Sequence, residues 1–244
     1  MKNKKFYPGN ELDLFKNATN WKSYWIKYIS KYINGDVLEV GAGNGINTKI
    51  IINSLDSIKS YTSIEPDVEL FKQSINIDIK DNFNLTQLNC LLNNLNKKKK
   101  FDTILYIDVI EHIEDDVKEL IEAKSFLKDG GNLIILVPAF NSAFSEFDRK
   151  IKHYRRYTKK SLKKVLPKGL TIKKIRYQDS VGLILSYMNK YILRQSEPKY
   201  GQILFWDRIV IPLSKIIDKL VNYSFGKSLI GVWKNEIKNF NEKL

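Results

Sequence analysis

The sequence predicts an α/β fold built on a doubly wound parallel sheet. Short apolar segments alternate with segments whose apolar residues recur at helical spacing over residues 37–137, and this strand–helix rhythm is typical of such sheets. Glycine, acidic or amide residues also follow successive predicted strands. Ligands on a doubly wound sheet bind beyond the carboxyl ends of its strands. The sequence therefore predicts one ligand-binding edge, which collects Gly41, Glu65, Asn89, Asp108 and Pro138.

Composition and charge limit the classes of protein and partner. A hydrophobic content of 43% over 244 residues is ample for a globular core. The single cysteine, Cys90, excludes a disulfide framework and a cysteine-rich metal site, which fits a cytoplasmic setting. No signal peptide or membrane span is predicted, because no apolar run is long enough. The net charge of +14 favours an anionic partner, and nucleic acid, phosphorylated metabolites and anionic lipid all remain open.

An aromatic helix is predicted before the first strand, after a leader at residues 1–16. Aromatic and aliphatic residues recur at helical spacing between Asn17 and Tyr32, which predicts a helix docked on the core. The alternative is an aromatic lid over a bound ligand. Trp21 and Tyr24 are the candidates for such a lid, and Tyr24 is a predicted substrate contact.

The strongest local signal is a strand, a tight turn and a helix start at residues 37–55. Gly41, Gly43 and Gly45 follow the apolar strand, and glycine accepts the positive φ that lets a ligand approach bare backbone. The helix N-terminus adds free N–H groups, which favour an anionic or electron-rich ligand. Glu39 is an acid inside the strand, and a buried carboxylate needs a partner such as a ligand ammonium.

A second strand, at residues 60–64, ends in Glu65, Pro66 and Asp67. Glu65 lies 24 positions after Gly41 (65 minus 41). In a βαβ unit this spacing places a carboxylate at the tip of the neighbouring strand, where it can accept both hydroxyls of a ribose. Pro66 stops the strand, and Asp67 is predicted to cap the next helix.

The remaining strands are predicted at residues 83–88, 101–108, 132–137, 170–178 and 228–233. The first of these has the character of an edge strand. A helix over residues 115–127 is followed by a turn at 128–131, and the lysine run at 97–100 predicts a solvated turn. Two apolar helical segments within residues 181–225 predict a cover over the site and a dimer surface, or alternatively a membrane-docking surface.

Four motifs occur in a fixed order along the chain: VLEVGAGNG at 37–45, IEPD at 64–67, DVIEHIEDD at 108–116 and LKDGG at 127–131. Together they resemble the ordered motifs of class I S-adenosylmethionine-dependent methyltransferases. Further motifs are VPA at 137–139, Asp148, HYRRYT at 153–158 and GKSLI at 226–230. These are similar to a bacterial branch of that family associated with glycosyltransferases and with polysaccharide or lipid assembly.

The resemblance implies a Rossmann-like, seven-stranded sheet whose last strand is antiparallel, with a helical cover. We expect a leader and aromatic helix (1–34), a cofactor-binding core (35–180), a helical insertion over the site (181–226), and a last strand with its tail (227–244). S-adenosylmethionine is the expected cofactor, with predicted contacts from Glu39, Gly41, Ala42, Gly43, Gly45, Glu65, Pro66, Asn89, Cys90 and Asp108. Asn89 and Cys90 replace an acid that the family often has near the adenine amine, and Lys152 replaces a glycine that the branch usually has.

Methyl transfer needs an aligned nucleophile, and an oxygen or nitrogen nucleophile must also lose a proton to a base. Histidine is the usual base, and both histidines of the chain lie in motifs on the ligand edge. His153 is the predicted base, with loop packing as its alternative role, and Asp148 is predicted to orient it. His112 is a further catalytic candidate whose simplest role is to anchor the loop beside the cofactor.

No metal is predicted. The open alternative is a divalent cation held by Asp108, Glu111 and His112, a set that resembles the one in ubiquinone-type O-methyltransferases.

A basic aromatic cluster follows His153. It consists of Tyr154, Arg155, Arg156 and Tyr157. An Arg fork binds phosphate or carboxylate through two parallel hydrogen bonds. The cluster is therefore predicted to bind an acidic substrate group such as a phosphate or a uronate, and the alternative is a surface salt-bridge network.

Taken together, these signals predict a methyltransferase that acts on an oxygen or nitrogen of a small molecule, with a saccharide or lipid precursor as the favoured acceptor. An RNA methyltransferase is the first alternative, but the basic residues are scattered and no RNA-binding module is recognisable. A nucleotide-binding protein without this activity is the second, but the later glycine of the dinucleotide fingerprint is missing. A monomer or homodimer is expected, and peripheral membrane contact remains open.

Overall fold

A mixed sheet organises the computed structural model, which describes residues 11–193, 195 and 197–236. Its strands are β1 (Gly35–Val40), β2 (Ile58–Ile64), β3 (Leu85–Leu88), β4 (Phe101–Ile107), β5 (Leu127–Pro138), β6 (Leu170–Gln178) and β7 (Ser228–Asn235). They hydrogen-bond in the order β3-β2-β1-β4-β5-β7-β6. The predicted seven-stranded sheet is confirmed, and β3 is an edge strand as expected.

The sheet is parallel except around β7. Strands β1 to β5 pair in parallel, whereas β7 pairs antiparallel with both β5 and β6. The predicted antiparallel last strand is therefore confirmed. Because β7 runs in the opposite direction, its first residue, Ser228, pairs with Pro138 at the end of β5. The start of β7 therefore joins the predicted ligand edge.

Ten α-helices surround the sheet in the described part of the chain. They are α1 (Glu11–Phe15), α2 (Thr19–Ile29), α3 (Ile46–Ser54), α4 (Val68–Ser74), α5 (Asp116–Ser125), α6 (Glu146–Lys150), α7 (Lys159–Val165), α8 (Ser180–Met188), α9 (Tyr200–Phe205) and α10 (Ile211–Leu220). A π-helical segment, Asn189–Leu193, extends α8, and a second one, Trp206–Val210, joins α9 to α10. Asp67 accepts the N–H groups of Glu69 and Leu70, which confirms the predicted cap of α4.

Apolar residues cover both faces of the sheet because side chains alternate along each strand. On one face, Leu105 and Ile107 pack with residues of α2, α3 and the later helices. On the other face, Ile104 and Tyr106 pack with residues of α5 and α7. Helices on both faces make the sheet doubly wound, as predicted.

The fifth strand begins earlier than the sequence predicts. Helix α5 ends at Ser125, and β5 starts at Leu127 and runs through the residues predicted to be a turn at 128–131. The pairing of β5 with β4 shifts its register after Phe101, and Gly130 has a φ of +74°. An irregularity inside a strand therefore explains the glycines, and the predicted turn is wrong. The lysine run at 97–100 is exposed, as predicted.

Three buried aspartates hold the helical cover, which we define as residues 180–220. Asp179 accepts hydrogen bonds from the Trp206 indole and the Ser214 hydroxyl, both at 2.7 Å. Asp207 accepts the backbone N–H of Trp21 at the start of α2. Asp218 accepts the Tyr24 hydroxyl at 2.9 Å, together with two backbone N–H groups at the start of α8.

The aromatic helix is docked as the sequence predicts, and it is docked largely on the cover. The Trp21 ring packs against the Trp206 ring, with 5.8 Å between centroids. The end of the predicted leader forms α1, which places Phe15 against the same indole at 5.7 Å. The rest of the leader, residues 1–10, lies outside the described residues. No helix in the described ranges combines the length and the apolar character needed to span a bilayer.

Candidate active site

The glycine turn after β1 has the backbone that the sequence predicts. Gly41, Gly43 and Gly45 all have positive φ, between +58° and +79°. A Cβ on Gly41 would lie only 2.7 Å from the Val109 side chain, so a larger residue there would meet both strain and a clash. A Cβ on Gly43 would lie 3.2 Å from Leu12 of α1. The turn therefore presents bare backbone, with the ordered part of the leader close above it.

Glu65 lies directly beside this turn, at the tip of β2. One carboxylate oxygen accepts the Gly43 N–H at 2.8 Å, and the other accepts the Asp67 N–H at 2.8 Å. Burial raises the pKa of Glu65, and the two backbone hydrogen bonds oppose that rise. The juxtaposition of glycine turn and carboxylate that the 24-residue spacing predicts is therefore present in the fold, and two backbone hydrogen bonds hold Glu65 in place.

Glu39 has protein partners that account for its burial. Its carboxylate accepts the Tyr61 hydroxyl at 2.9 Å and the Thr48 hydroxyl, and the residue is 1% exposed. Burial raises the pKa of Glu39 to about 7. A ligand ammonium is not needed to explain this carboxylate, so its predicted contact with the cofactor loses its main argument and stays a prediction.

The end of β3 forms the outer part of the edge. Asn89 donates its amide N–H to the Glu65 carbonyl at 2.7 Å. Cys90 is a half-buried free thiol whose pKa is raised by burial. A hollow of about 290 Å3 opens here, with Asn89, Cys90 and Leu95 in its lining. This side of the edge thus offers amide, thiol and apolar groups where the family often has an acid.

Asp108 forms the floor of the edge at the end of β4. Its φ of +55° is left-handed, a conformation that Asp and Asn tolerate better than most residues. Its side chain reaches solvent although protein atoms surround it, as expected at the bottom of an open cleft. Loss of solvation raises the pKa of Asp108 to about 7, and the charges of Lys227 and Lys22 oppose the rise. Because Asp108 is also exposed to solvent, the loss of solvation raises its pKa less than it would for a fully enclosed carboxylate.

The two lysines beside Asp108 were not predicted from the sequence. Lys22 is buried on α2 and donates to the Phe15 carbonyl at 2.5 Å. Lys227 precedes β7, and its ammonium lies 4.5 Å from the centre of the Trp206 ring. The available signals were a lysine on the buried aromatic face for Lys22 and the GKSLI motif for Lys227.

Asp148 and His153 form the pair that the sequence predicts. His153 Nδ1 lies 2.8 Å from Asp148 Oδ1, and Arg156 donates to both oxygens of Asp148 at 2.8 Å. Burial alone would raise the pKa of Asp148, but hydrogen bonds from His153 and Arg156 lower it well below its usual range. The His153 side chain is only 9% exposed, so this triad is largely internal.

Glu111 and His112 extend the triad toward the cleft. Glu111 is fully buried, and no side chain in the described part of the chain hydrogen-bonds its oxygens; His153 Nε2 lies 3.9 Å from its Oε1. Burial, with the nearby charges of Asp108 and Asp148, raises the pKa of Glu111 well above its usual range. Burial and the neighbouring His153 lower the pKa of His112 to about 3.

His112 also fits its predicted role as an anchor for the loop. Its ring hydrogen-bonds the backbone of Ile151 and Lys152. Among the described residues, Glu111, His112 and His153 bring potential ligand atoms within 4.8 Å of one another, so they could hold a cation. This group includes His153 rather than the Asp108 of the sequence-based alternative. The prediction that no metal is required stays a prediction.

The basic aromatic cluster is mostly paired within the protein. Arg155 contacts Asp116 at 2.7 Å, and the buried Tyr157 donates to the same carboxylate at 2.7 Å. Arg156 is held by the triad described above, and Tyr24 by the cover. These contacts favour the salt-bridge alternative for Arg155, Arg156 and Tyr157, and the docked-helix alternative for Tyr24. Tyr154, which is 52% exposed, is the member of the cluster that a substrate could reach.

This edge defines a class of protein: a Rossmann-like domain whose glycine turn and acidic strand tip suit a nucleoside cofactor. Residues 20–170 match the family described as methyltransferase domain. The match spans more than half of the 244 residues, and the chain belongs to this family. A search of curated proteins finds no match.

Solved structures share the fold at low sequence identity. N-methyltransferase NodS from Bradyrhizobium japonicum, in complex with S-adenosyl-L-homocysteine, has a TM-score of 0.57 and 12% identity, over 96% of this chain and 93% of that one. A SAM-dependent methyltransferase from Archaeoglobus fulgidus has a TM-score of 0.56 and 16% identity, over 92% and 97%. The plantazolicin methyltransferase BpumL, in complex with SAH, has a TM-score of 0.54 and 12% identity, over 92% and 84%. Family and fold together confirm the prediction of an S-adenosylmethionine-dependent methyltransferase.

Proposed function

We propose that the protein transfers the methyl group of S-adenosylmethionine to an oxygen or nitrogen of an anionic small molecule. The favoured acceptor is a saccharide or lipid precursor that carries phosphate or carboxylate. The observation that carries this proposal is a pair of lysines near Asp108. Lys22 donates to the Phe15 carbonyl and Lys227 lies over the Trp206 ring, and the charges of both lysines lower the pKa of Asp108, so two ammonium groups lie within electrostatic reach of the carboxylate at the end of β4.

Both lysines support recognition of an anion. Burial lowers the pKa of Lys22 to about 8, against the attraction of Asp207 and Asp108, and a lysine with such a pKa is mostly charged at pH 7. Burial also lowers the pKa of Lys227, and Asp179 opposes that change. Asp207 and Asp179 balance much of this charge, so the argument for an acidic acceptor is the hydrogen-bonding capacity of two ammonium groups near Asp108 rather than a net positive charge.

Asp108 is the proposed base. The residue is exposed to solvent on the ligand edge, and a carboxylate whose pKa is raised by loss of solvation is a better proton acceptor than an ordinary one. The acceptor oxygen or nitrogen forms a bond to the methyl carbon while the carbon–sulfur bond breaks, and the acceptor proton passes to Asp108. His153 remains a candidate base, with Asp148 orienting it. Asp108 is favoured because the His153 side chain is only 9% exposed.

The cofactor is proposed to lie along the edge from the glycine turn to β3. Glu65 would accept the ribose hydroxyls, because its carboxylate is already fixed beside Gly43. Pro66 would contact the adenine, and the hollow beside Asn89 and Cys90 would receive its amine side. The methionyl group would then follow the backbone of residues 41–45 toward Asp108.

The finer predictions from the sequence are part of the same proposal. The chain is proposed to belong to the branch associated with glycosyltransferases and to act in the cytoplasm. The catalytic domain would consist of the core (35–180) and the last strand with its tail (227–244). A leader and aromatic helix (1–34) would precede it. The insertion (181–226) would act as a cover, a division supported by its position between β6 and β7.

The test identifies the chemical class of the methyl acceptor and measures the contribution of Asp108 to the rate. Cell extract is separated by anion exchange and incubated with enzyme and methyl-labelled cofactor, and the label is expected in an anionic small-molecule fraction. Asp108→Asn keeps the left-handed backbone, and its kcat is expected to fall by about 100-fold or more. Asp115→Asn, which alters an exposed cap of α5, is the matched control.

The pH dependence of the rate and of KM should distinguish the role of Asp108 from that of Lys22. The rate of the native enzyme should rise with pH as Asp108 loses its proton, at a pH above the usual 3.8 of this carboxyl and no higher than about 7. The KM for the anionic acceptor should rise above pH 8, as Lys22 loses its charge. Calorimetry should find that Asp108→Asn still binds S-adenosylhomocysteine. Label found only in neutral compounds or RNA, or an Asp108→Asn enzyme with unchanged kcat, would refute the proposal.

A further inference from the structure

The outer face of the cover is apolar along two helical rows. In the continuous helical run from α9 to α10, Ile203, Trp206 and Val210 are buried against the core. The opposite side of that run leaves five large apolar side chains 45–79% exposed, namely Phe205, Ile209, Leu213, Ile216 and Leu220. Their spacing of three or four residues places them on one side of the helix.

A second row lies on the neighbouring helix. Helix α8 packs against α10, and this row leaves Ile184, Met188, Tyr191 and Ile192 between 46% and 70% exposed. We call the two rows together the outer apolar face. With Tyr200, the cover holds ten of the sixteen large exposed apolar residues in the described part of the chain. A concentration of this kind marks an interaction surface.

The charges around this face are basic. Arg208 and Lys219 are exposed on the same helical run, each directly before a member of the first row. Two of the three acids in the cover, Asp207 and Asp218, are buried in the hydrogen bonds that anchor it. The third, Glu197, is exposed and paired with Lys150 at 3.0 Å. The described surface of the cover therefore combines apolar side chains with cations.

We infer that the outer apolar face docks on an anionic lipid surface. An amphipathic helix with basic residues binds such a surface by burying its apolar side at the headgroup boundary, and its cations are attracted to anionic lipids. A second copy of the chain is a poorer occupant. Two copies would bring the same basic side chains together, and each chain carries a net charge of +14. This inference does not depend on the identity of the methyl acceptor.

Docking would also position the ligand edge. Asp179 follows β6 and holds Trp206 and Ser214 on the inner side of the cover. Trp206 in turn lies against Lys227, whose charge acts on Asp108 at the ligand edge. The cover thus has one side on the edge and the other side free for lipid. A membrane-bound enzyme would hold its cleft next to the bilayer.

The test is co-sedimentation with vesicles of phosphatidylcholine, with and without phosphatidylglycerol, at physiological salt. The native protein is expected to sediment with the anionic vesicles and to be released by high salt. Ile209→Ser/Ile216→Ser/Leu220→Ser should weaken binding by about ten-fold or more, because it removes apolar side chains that would enter the lipid. Arg208→Gln/Lys219→Gln should weaken binding and its salt dependence.

Ile121→Ser/Ile172→Ser is the matched control, because both residues are similarly exposed outside the cover. It should bind vesicles like the native protein. Calorimetry with S-adenosylhomocysteine checks that each variant is folded. Three results would overturn the inference: equal binding to both kinds of vesicle, unchanged binding of the triple variant, or light scattering that finds a dimer which the triple variant dissociates.

Discussion

The two halves of the ligand edge are built by different means. In the cofactor half, from β1 to β3, backbone groups dominate: a glycine turn donates to Glu65, and Glu65 also accepts the N–H of Asp67. In the acceptor half, charged side chains pair with one another, as in the Asp148–His153–Arg156 triad. The positions of backbone groups follow from the order and direction of the strands. The pairing of side chains depends instead on which residues the fold brings into contact. Because each contact in the cofactor half joins one side chain to the backbone, a single substitution there tests one contact.

The largest effect is expected at Glu65. Glu65→Ala removes the proposed acceptor of both ribose hydroxyls and the partner of two backbone N–H groups. Hydrogen bonds to a charged group are strong, so the affinity for S-adenosylhomocysteine should fall by about 100-fold, as measured by calorimetry. Glu69→Ala, at an exposed position four residues on, should bind normally. Near-native affinity in Glu65→Ala would place the ribose elsewhere.

Sequence predicts that the glycine turn and Glu65 lie together because they belong to consecutive strand–helix units. Parallel pairing of β1 with β2 brings the residues after each strand to the same edge, so Gly43 and Glu65 must meet. The antiparallel last strand was expected from the family resemblance that the ordered motifs carry, and the pairing of β7 with β5 and β6 confirms it. The start of β5 was missed because a local irregularity carries Gly130 inside a strand, where glycine usually indicates a turn.

The acceptor half could not be predicted at this level. Arg156, Tyr157 and Tyr24 look free in the sequence, but the fold pairs them with Asp148, Asp116 and Asp218. Tyr24 and Asp218 are separated by 194 residues, and no periodicity indicates which side chains will meet over such a distance. Lys22 and Lys227 were missed for the same reason, since the role proposed for them depends on the fold bringing both near Asp108 from opposite ends of the chain.

Substitution of Glu39 should have a smaller effect, and it should show whether this carboxylate stabilises the fold or binds the cofactor. Its pKa is raised from 4.5 to about 7, so between these values the folded state holds a proton that the unfolded state has lost. Stability from this residue is therefore full below pH 4.5 and is lost as pH rises through 7. Glu39→Gln keeps a carbonyl oxygen for Thr48 and Tyr61 and never ionises.

Glu39→Gln should therefore stabilise the protein at pH 8 by about 2 kcal/mol and have little effect at pH 4.5. The corresponding rise in Tm at pH 8 is about 4–8 °C for a chain of this size. Glu114→Gln makes the same change at an exposed residue and should shift neither value. A large loss of affinity for S-adenosylhomocysteine in Glu39→Gln would show that the carboxylate binds the cofactor after all.

The smallest effect is expected from a substitution of Lys152, which tests the backbone conformation of the acceptor half. Lys152 has a φ of +61°, and a left-handed conformation costs a residue with a Cβ about 1–2 kcal/mol. It is held there because the next residue, His153, donates its backbone N–H to the Asp148 carbonyl at 2.8 Å. Glycine adopts this conformation freely, which explains why the resembling branch usually has glycine at this position.

Lys152→Gly should relieve this strain and lose part of the gain to the greater freedom of glycine in the unfolded chain. A net stabilisation of about 0.5–1 kcal/mol is expected, or about 1–4 °C in Tm by calorimetry. Lys163→Gly, at an exposed position inside α7, should lower stability by about 1 kcal/mol. Opposite signs for the two substitutions would confirm that the loop before His153 is held in a strained conformation by the triad. Equal losses would show that the turn is not left-handed in solution.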